Sequence, residues 1–223
     1  MATTFQRARS DEQRAVRTQA ILSTAAAMLE EMPVADVSLN ELSRRVGLAK
    51  SNVLRYFESR EAVLLELLTR SVHEWLEHLA TDLPTAVRRR SAFERRAEQL
   101  ATALVDSLTA RPVLCDLISA QAGVLERNVS AEVIVRHKLC TLSDGEAFIA
   151  LVQSALPELS EDDVFQYLIA TWLMTSALWA HRRPPAALLE ACAADERLAP
   201  MQLDFAATLK SHLTTLAIGM HAR

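Results

Sequence analysis

The chain has 223 residues, half of them hydrophobic, with only 4 glycines and 7 prolines. Such a composition favours helix almost throughout and leaves too few turn-formers for an all-β fold. The net charge of −4 excludes a uniformly basic nucleic-acid coat, yet the charge is uneven. Residues 1–60 carry nine basic and seven acidic side chains and the remainder fifteen and twenty-one, a slightly basic head on an acidic body.

Along the chain, polar residues punctuate apolar runs. Ser10 opens a capping-box pattern, and the helix it predicts carries Ile21, Leu22, Ala25, Met28 and Leu29 at helical spacing until Pro33. Ser38 and Glu41 form a second box, opening a short helix over 39–46 that Gly47 stops. Another short helix covers 50–57, and after Ser59 a longer one reaches about Ala80. Ser91 with Glu94 predicts a start running to about Ala110, and Pro112 a first helical position in a helix ending near Gly123. Ser130 begins the next, Ser160 with Asp163 the one after, and the last spans about Leu203 to Met220. No strand-like alternation and no internal repeat interrupts this pattern, so the fold class is all-α, with nine or ten helices.

One run, Val164 to His181, has no formal charge and nears the minimum length for crossing a membrane. Gln166, Thr171, Thr175, Ser176 and His181 make it a poor span, and burial within protein is the expectation. Cys115, Cys140 and Cys192 are scattered and odd in number, which fits a reducing cytoplasm better than disulfides or zinc. The first residues contain no apolar core of a signal peptide.

The stretch "GLAKSNVLRYFESREAVL", residues 47–64, carries the chemistry. Two short helices meet across Gly47-Leu48-Ala49, the length of a helix-turn-helix, with Leu48 plugging the junction. In that unit the second helix enters the DNA major groove by its N-terminal residues. Lys50, Ser51, Asn52 and Arg55 are of the types that reach phosphates or base edges, while Val53 and Phe57, four apart, face the core.

Residues 21–68, "ILSTAAAMLEEMPVADVSLNELSRRVGLAKSNVLRYFESREAVLLELL", resemble the N-terminal domain of the TetR family of transcriptional regulators. The likeness covers roughly residues 15–75 and rests on Ala25–Ala26, Ser38, "VGLAKSNVLRYF" and "SREAVL". It implies a helix-turn-helix DNA-binding domain over residues 1–75, its motif at about 38–57. A helical effector-binding and dimerisation domain would follow over 76–223. Candidate DNA contacts are Ser38, Lys50, Ser51, Asn52, Leu54, Arg55, Tyr56 and Arg60. Leu54 departs from the family, which usually carries Tyr there; meeting a thymine methyl and packing inward are both open. Arg60 stands where the family places a basic residue beside a helix start, and Arg7 and Arg9 are an arm or an ordinary basic tail.

The resemblance further implies a homodimer on a palindromic double-stranded operator and a small-molecule effector, as in a repressor. Helices 164–181 and 203–219 have more apolar surface than one small domain uses, which suits a four-helix interface between subunits. Candidate pocket residues in the middle helices are Cys115, Asp116, His137, Phe148, Gln153 and Trp172. No cofactor is implied. An enzyme is disfavoured: the nearest glycines, Gly123 and Gly145, are 22 apart, and G-x-S-x-G is absent. His73 and His78 are five apart, not a helical metal pair. A helical adaptor that keeps the fold without reading DNA is the alternative. The basic run Arg88 to Arg96 reads as a solvated linker and helix start.

Overall fold

The computed structural model describes the backbone of residues 2–223 and the side chains of residues 12–223. Among the described residues every regular element is helical. In chain order these are α1 (Ala2–Glu31), α2 (Leu39–Val46), α3 (Lys50–Val53), α4 (Arg60–Ala86) and α5 (Phe93–Thr109). Then follow α6 (Pro112–Ala120), α7 (Ala131–Ala155), α8 (Glu161–Ala180), α9 (Ala186–Ala194) and α10 (Phe205–His221). A π-helical turn, Gln121–Leu125, follows α6, and 3₁₀ turns occupy Val34–Asp36 and Glu196–Met201.

The chain groups into two compact units. The first contains residues up to Arg70 together with Ala120–Leu139; the second contains Ser71–Ser119 and Cys140–Arg223. In the first, Ile21, Leu22, Ala25 and Met28 of α1 are buried with Leu42 of α2, Val53 of α3 and Val63, Leu64 and Leu68 of α4. Each large aliphatic side chain so buried contributes about 1.5–3 kcal/mol. In the second, α10 packs on α5 and α8, burying Leu100, Leu104, Leu209 and Leu213. Gly145 of α7 faces Leu168 of α8, where an added Cβ would sit 3.5 Å from Leu168 Cδ2.

Four helix starts follow the predicted local chemistry. The Ser38, Ser59, Ser130 and Ser160 hydroxyls accept the N–H of Glu41 (3.2 Å), Ala62 (3.1 Å), Val133 (3.3 Å) and Asp163 (3.1 Å). Pro112 is the first residue of α6. Other expectations need correction. Helix α1 already begins at Ala2, so Ser10 is not its start; the side chains of Ser10, Arg7 and Arg9 lie outside the described residues. The cap of α5 is Ala92 without a side-chain bond, not Ser91. Ser91 instead offers its carbonyl to Arg96 Nε at 3.2 Å, and Phe93, stacked on His221 at 3.9 Å, fixes the start by burial. Helix α4 runs past Ala80 and through Pro84 because its apolar stripe continues through Leu79, Leu83 and Val87. Helix α9 had no sequence counterpart. No helix among the described residues is long and apolar enough to cross a membrane.

Candidate nucleic-acid interface

The turn between α2 and α3 is set by Gly47 at φ 71°, a left-handed conformation that side-chain-bearing residues rarely adopt. The Leu48 N–H then bonds to Ser43 O at 3.0 Å, closing the end of α2. Ala49 is extended and its carbonyl accepts from Asn52 N–H (2.8 Å) and Val53 N–H (3.2 Å), which starts α3. Regular α-helix lasts only to Val53, shorter than the predicted 50–57. Turn bonds from Tyr56 N–H (2.9 Å) and Phe57 N–H (3.1 Å) to Val53 O carry the coil onward.

Anchor and tip separate cleanly. Val53 and Phe57 are buried, while Lys50, Ser51, Asn52 and Arg55 are exposed and Tyr56 is half-buried. Leu54 is 42 % exposed, so it does not pack inward. Ser38 is exposed at the head of α2 with its hydroxyl oxygen on Glu41 N–H.

The neighbouring arginines are differently engaged. Glu41 binds Arg44 through both carboxylate oxygens (2.8 and 2.6 Å) and Arg45 at 2.8 Å, and Arg45 also reaches Glu31 at 2.7 Å. The bonds from Arg44 first, then Arg45, hold the Glu41 carboxyl down at about 2. Arg60 donates from Nη1 to the carbonyls of Val37 (3.0 Å), Ala35 (3.2 Å) and Val34 (3.4 Å), and from Nε to Glu61. It thereby pins the loop that leads into α2.

Three contacts escaped the sequence reading. The Arg14 guanidinium lies 5.6 Å from the centre of the Tyr56 ring. Glu58, directly after Phe57, accepts the backbone N–H of Ser130 at the head of α7. His137 is buried in this same unit, with Nδ1 2.9 Å from Thr69 Oγ1 and Nε2 3.1 Å from Gln121 Nε2. Because Gln121 Nε2 donates, that bonding assigns the ring proton to Nδ1. All three link residues between 42 and 72 positions apart or side chains with no local motif, so no spacing rule announces them.

The other candidate pocket residues lie in the second unit. Cys115 is fully buried with its thiol on Leu108 O at 3.3 Å, and burial, with the Asp116 charge, pushes the thiol up to about 12. Asp116 accepts Trp179 Nε1–H at 2.6 Å. Phe148 packs near Trp75 with ring centres 6.0 Å apart, and Gln153 and Trp172 are half-buried.

Residues 21–67 match the family profile described as bacterial regulatory proteins, tetR family, and residues 69–223 match one described as tetracyclin repressor-like, C-terminal domain. The chain belongs to the TetR family. The HTH-type transcriptional regulator EthR of Mycobacterium tuberculosis is 45% identical over 58 residues. That alignment spans 26% of this TetR-family chain and 27% of EthR, so about a quarter of each. Among solved structures, FadR from Bacillus subtilis in complex with stearoyl-CoA aligns with TM-score 0.57 and 13% identity over 91% of this chain and 99% of that one. A TetR regulator from Rhodococcus sp. RHA1 aligns at 0.54 and 14% identity, covering 94% and 95%. These similarities concern the fold. The TetR-family regulator described here is thus a helix-turn-helix DNA-binding transcription regulator, of a family whose members are generally not enzymes.

Proposed function

We propose that this regulator is a cytoplasmic repressor that binds a palindromic operator as a homodimer and leaves it when a small molecule binds. Residues 1–75 read the operator, and residues 76–223 hold the partner subunit and the effector. The observation that carries the reading is the polar tip of α3 (Lys50, Ser51, Asn52, Arg55), exposed and anchored from behind by Val53 and Phe57.

Asn52 and Arg55, three apart, suit paired contacts with adenine and guanine, and exposed Leu54 suits a thymine methyl. Lys50 and Tyr56 are assigned to phosphates, with Ser38 and Ser51 as further polar contacts. Arg60 adds a phosphate contact beyond its loop bonds. Support for the dimer comes from α8 and α10, which overlap the expected 164–181 and 203–219. On α8, Phe165 and Leu173 are 48 % and 62 % exposed, Leu173 opposite the stripe buried in its own chain and Phe165 on its flank. A twofold pair would set two recognition helices roughly 34–36 Å apart. Support for an effector is the fold shared with Bacillus subtilis FadR, which was solved with stearoyl-CoA.

Selection from randomised duplexes at fixed salt tests the reading. Arg55→Ala costs about 1–3 kcal/mol and relaxes preference at one position in both half-sites. Lys50→Ala lowers affinity without changing preference. If Arg55→Ala keeps the parent's full preference, Arg55 is a phosphate clamp and base reading passes to Asn52, Ser51 or Leu54.

A further inference from the structure

The arginines of the head divide by what holds them. Arg44 and Arg45 are tied to Glu41 and Glu31, and Arg60 to Glu61 and three loop carbonyls. Arg70 bonds to Glu66 at 3.1 Å and to Gln19 at 2.6 Å. Arg14, Arg17 and Arg55 have no carboxylate partner among the described residues. Arg55 belongs to the tip of α3. Arg14 comes from α1 and lies over the Tyr56 ring, its guanidinium carbon 5.6 Å from the ring centre.

Helical phase explains that contact. The buried stripe of α1 is Ile21, Leu22, Ala25, Met28 and Leu29. Arg14, seven residues before Ile21, stands two turns further along the same face. It is therefore turned toward the head but lies beyond the end of the core, where it is exposed and overhangs Tyr56.

Tyr56 is fixed from its own backbone, with its N–H on Val53 O at 2.9 Å, between exposed Arg55 and buried Phe57. Its ring is half-buried, and its hydroxyl has no hydrogen-bond partner among the described residues. A part-exposed phenol is readily served by water, so the hydroxyl alone decides nothing. The guanidinium beside it does. A guanidinium over a ring face keeps N–H donors to spare, and the ring gives up a face without engaging its hydroxyl. The pair thus sets several N–H donors and one O–H donor side by side, with a full positive charge that no carboxylate among the described residues offsets. Phosphodiester oxygens are acceptors that carry the complementary charge. Because Arg14 stands on α1 and not on the helix that enters the groove, the backbone flanking that groove is what it meets.

We infer that Arg14 is a further contact to the DNA backbone and that, with Tyr56, it clasps one phosphate. An Arg14 N–H and the Tyr56 O–H donate to its oxygens, and Arg14 also steadies the ring. This rests on the assignment of Tyr56 to a phosphate above and gives it a partner from another helix.

The test uses the full-length protein and the duplex that it selects most strongly from a randomised pool, titrated by fluorescence anisotropy at several salt concentrations. Arg14→Ala is expected to weaken binding about tenfold and lower the salt slope by about one unit, with base preference in a repeated selection unchanged. Arg14→Lys keeps the slope and falls between the two in affinity, since an ammonium supplies the charge without the planar fork. Tyr56→Phe weakens the parent about threefold, the scale of one neutral hydrogen bond, and leaves the slope alone. In the Arg14→Ala background it has no further effect, because the ring is no longer held. The chain has two tyrosines, Tyr56 and the buried Tyr167, so labelling tyrosine with carbon-13 at Cζ gives two signals. Adding the duplex shifts one of them in the parent and shifts it less in Arg14→Ala.

An unchanged salt slope in Arg14→Ala would overturn the inference. So would an altered base preference in that variant, an undiminished shift of the tyrosine signal, or a Tyr56→Phe loss of equal size in both backgrounds. A parent that selects no duplex sinks the operator reading itself. A parent that selects one while Arg14→Ala matches its affinity and slope sinks this inference alone.

Discussion

Helices α3 and α8 are built on opposite plans. In α3 and the turns that follow it, the apolar residues Val53 and Phe57 are buried and the polar ones, Lys50 to Asn52 with Arg55, exposed. In α8 the hydroxyls of Tyr167, Thr171 and Thr175 are inside while Phe165 and Leu173 lie outside. A surface records the chemistry of whatever is to cover it. The outward face of α3 suits a hydrated polyanion, and that of α8 an apolar partner such as a second copy of itself.

The largest effect should come from spoiling the outer face of α8. Leu173→Arg is expected to give monomers at micromolar concentration, with operator binding lost because two half-sites are no longer held together. Sedimentation velocity decides it, and an intact dimer would move the interface elsewhere. Next, removing the inner anchor of the head by Phe57→Ala should cost about 3–5 kcal/mol in urea unfolding, as deletion of a buried ring does. A cost below about 1 kcal/mol would mean that the tip of α3 is held by its backbone turns alone. Arg60→Ala should cost about 1–3 kcal/mol through the loop carbonyls it releases. A fall of about one unit in the salt slope of operator binding marks the added phosphate contact.

The smallest effect concerns Glu41. Its folded carboxyl titrates at about 2 against an ordinary 4.5, so its stabilising bonds are fully present above that ordinary value and are lost as pH falls toward 2. The group is exposed and screened, so the effect is modest. Stability measured from about pH 5 down to pH 2 should fall more steeply in the parent than in Glu41→Gln, and equal slopes would show that Arg44 and Arg45 add nothing.

The same contrast explains what the sequence made legible. The head is written in local rules: Ser38 with Glu41, Gly47 at a left-handed turn, and Val53 with Phe57 four apart all act over a few residues. Its folded geometry follows from spacing. The Arg60 clamp, reaching back 23 to 26 residues, and the Glu58–Ser130 contact, 72 apart, depend on which segments meet. Along α8 an uncharged run told of burial but not of which face was buried, so it did not separate the buried Tyr167 and Thr175 from their half-buried neighbour Trp172. Helix α9 and the turn at Glu196–Met201 escaped because Pro184, Pro185 and Pro200 punctuate that stretch and it buries only Cys192. Ser91 misled for the opposite reason: its local pattern was sound, but the burial of Phe93 set the start of α5.

The Glu58 contact turns one amide into a gauge of local opening. A backbone N–H held by a carboxylate gives up its proton to deuterated water only in the moments when that contact opens. Glu58 is the next residue after the anchor Phe57, and Ser130 stands at the head of α7. The rate at which the Ser130 proton is replaced, set against its intrinsic rate, therefore reports the fraction of time that the chain just behind α3 is released from α7. It does so in the unmodified protein, with no probe attached.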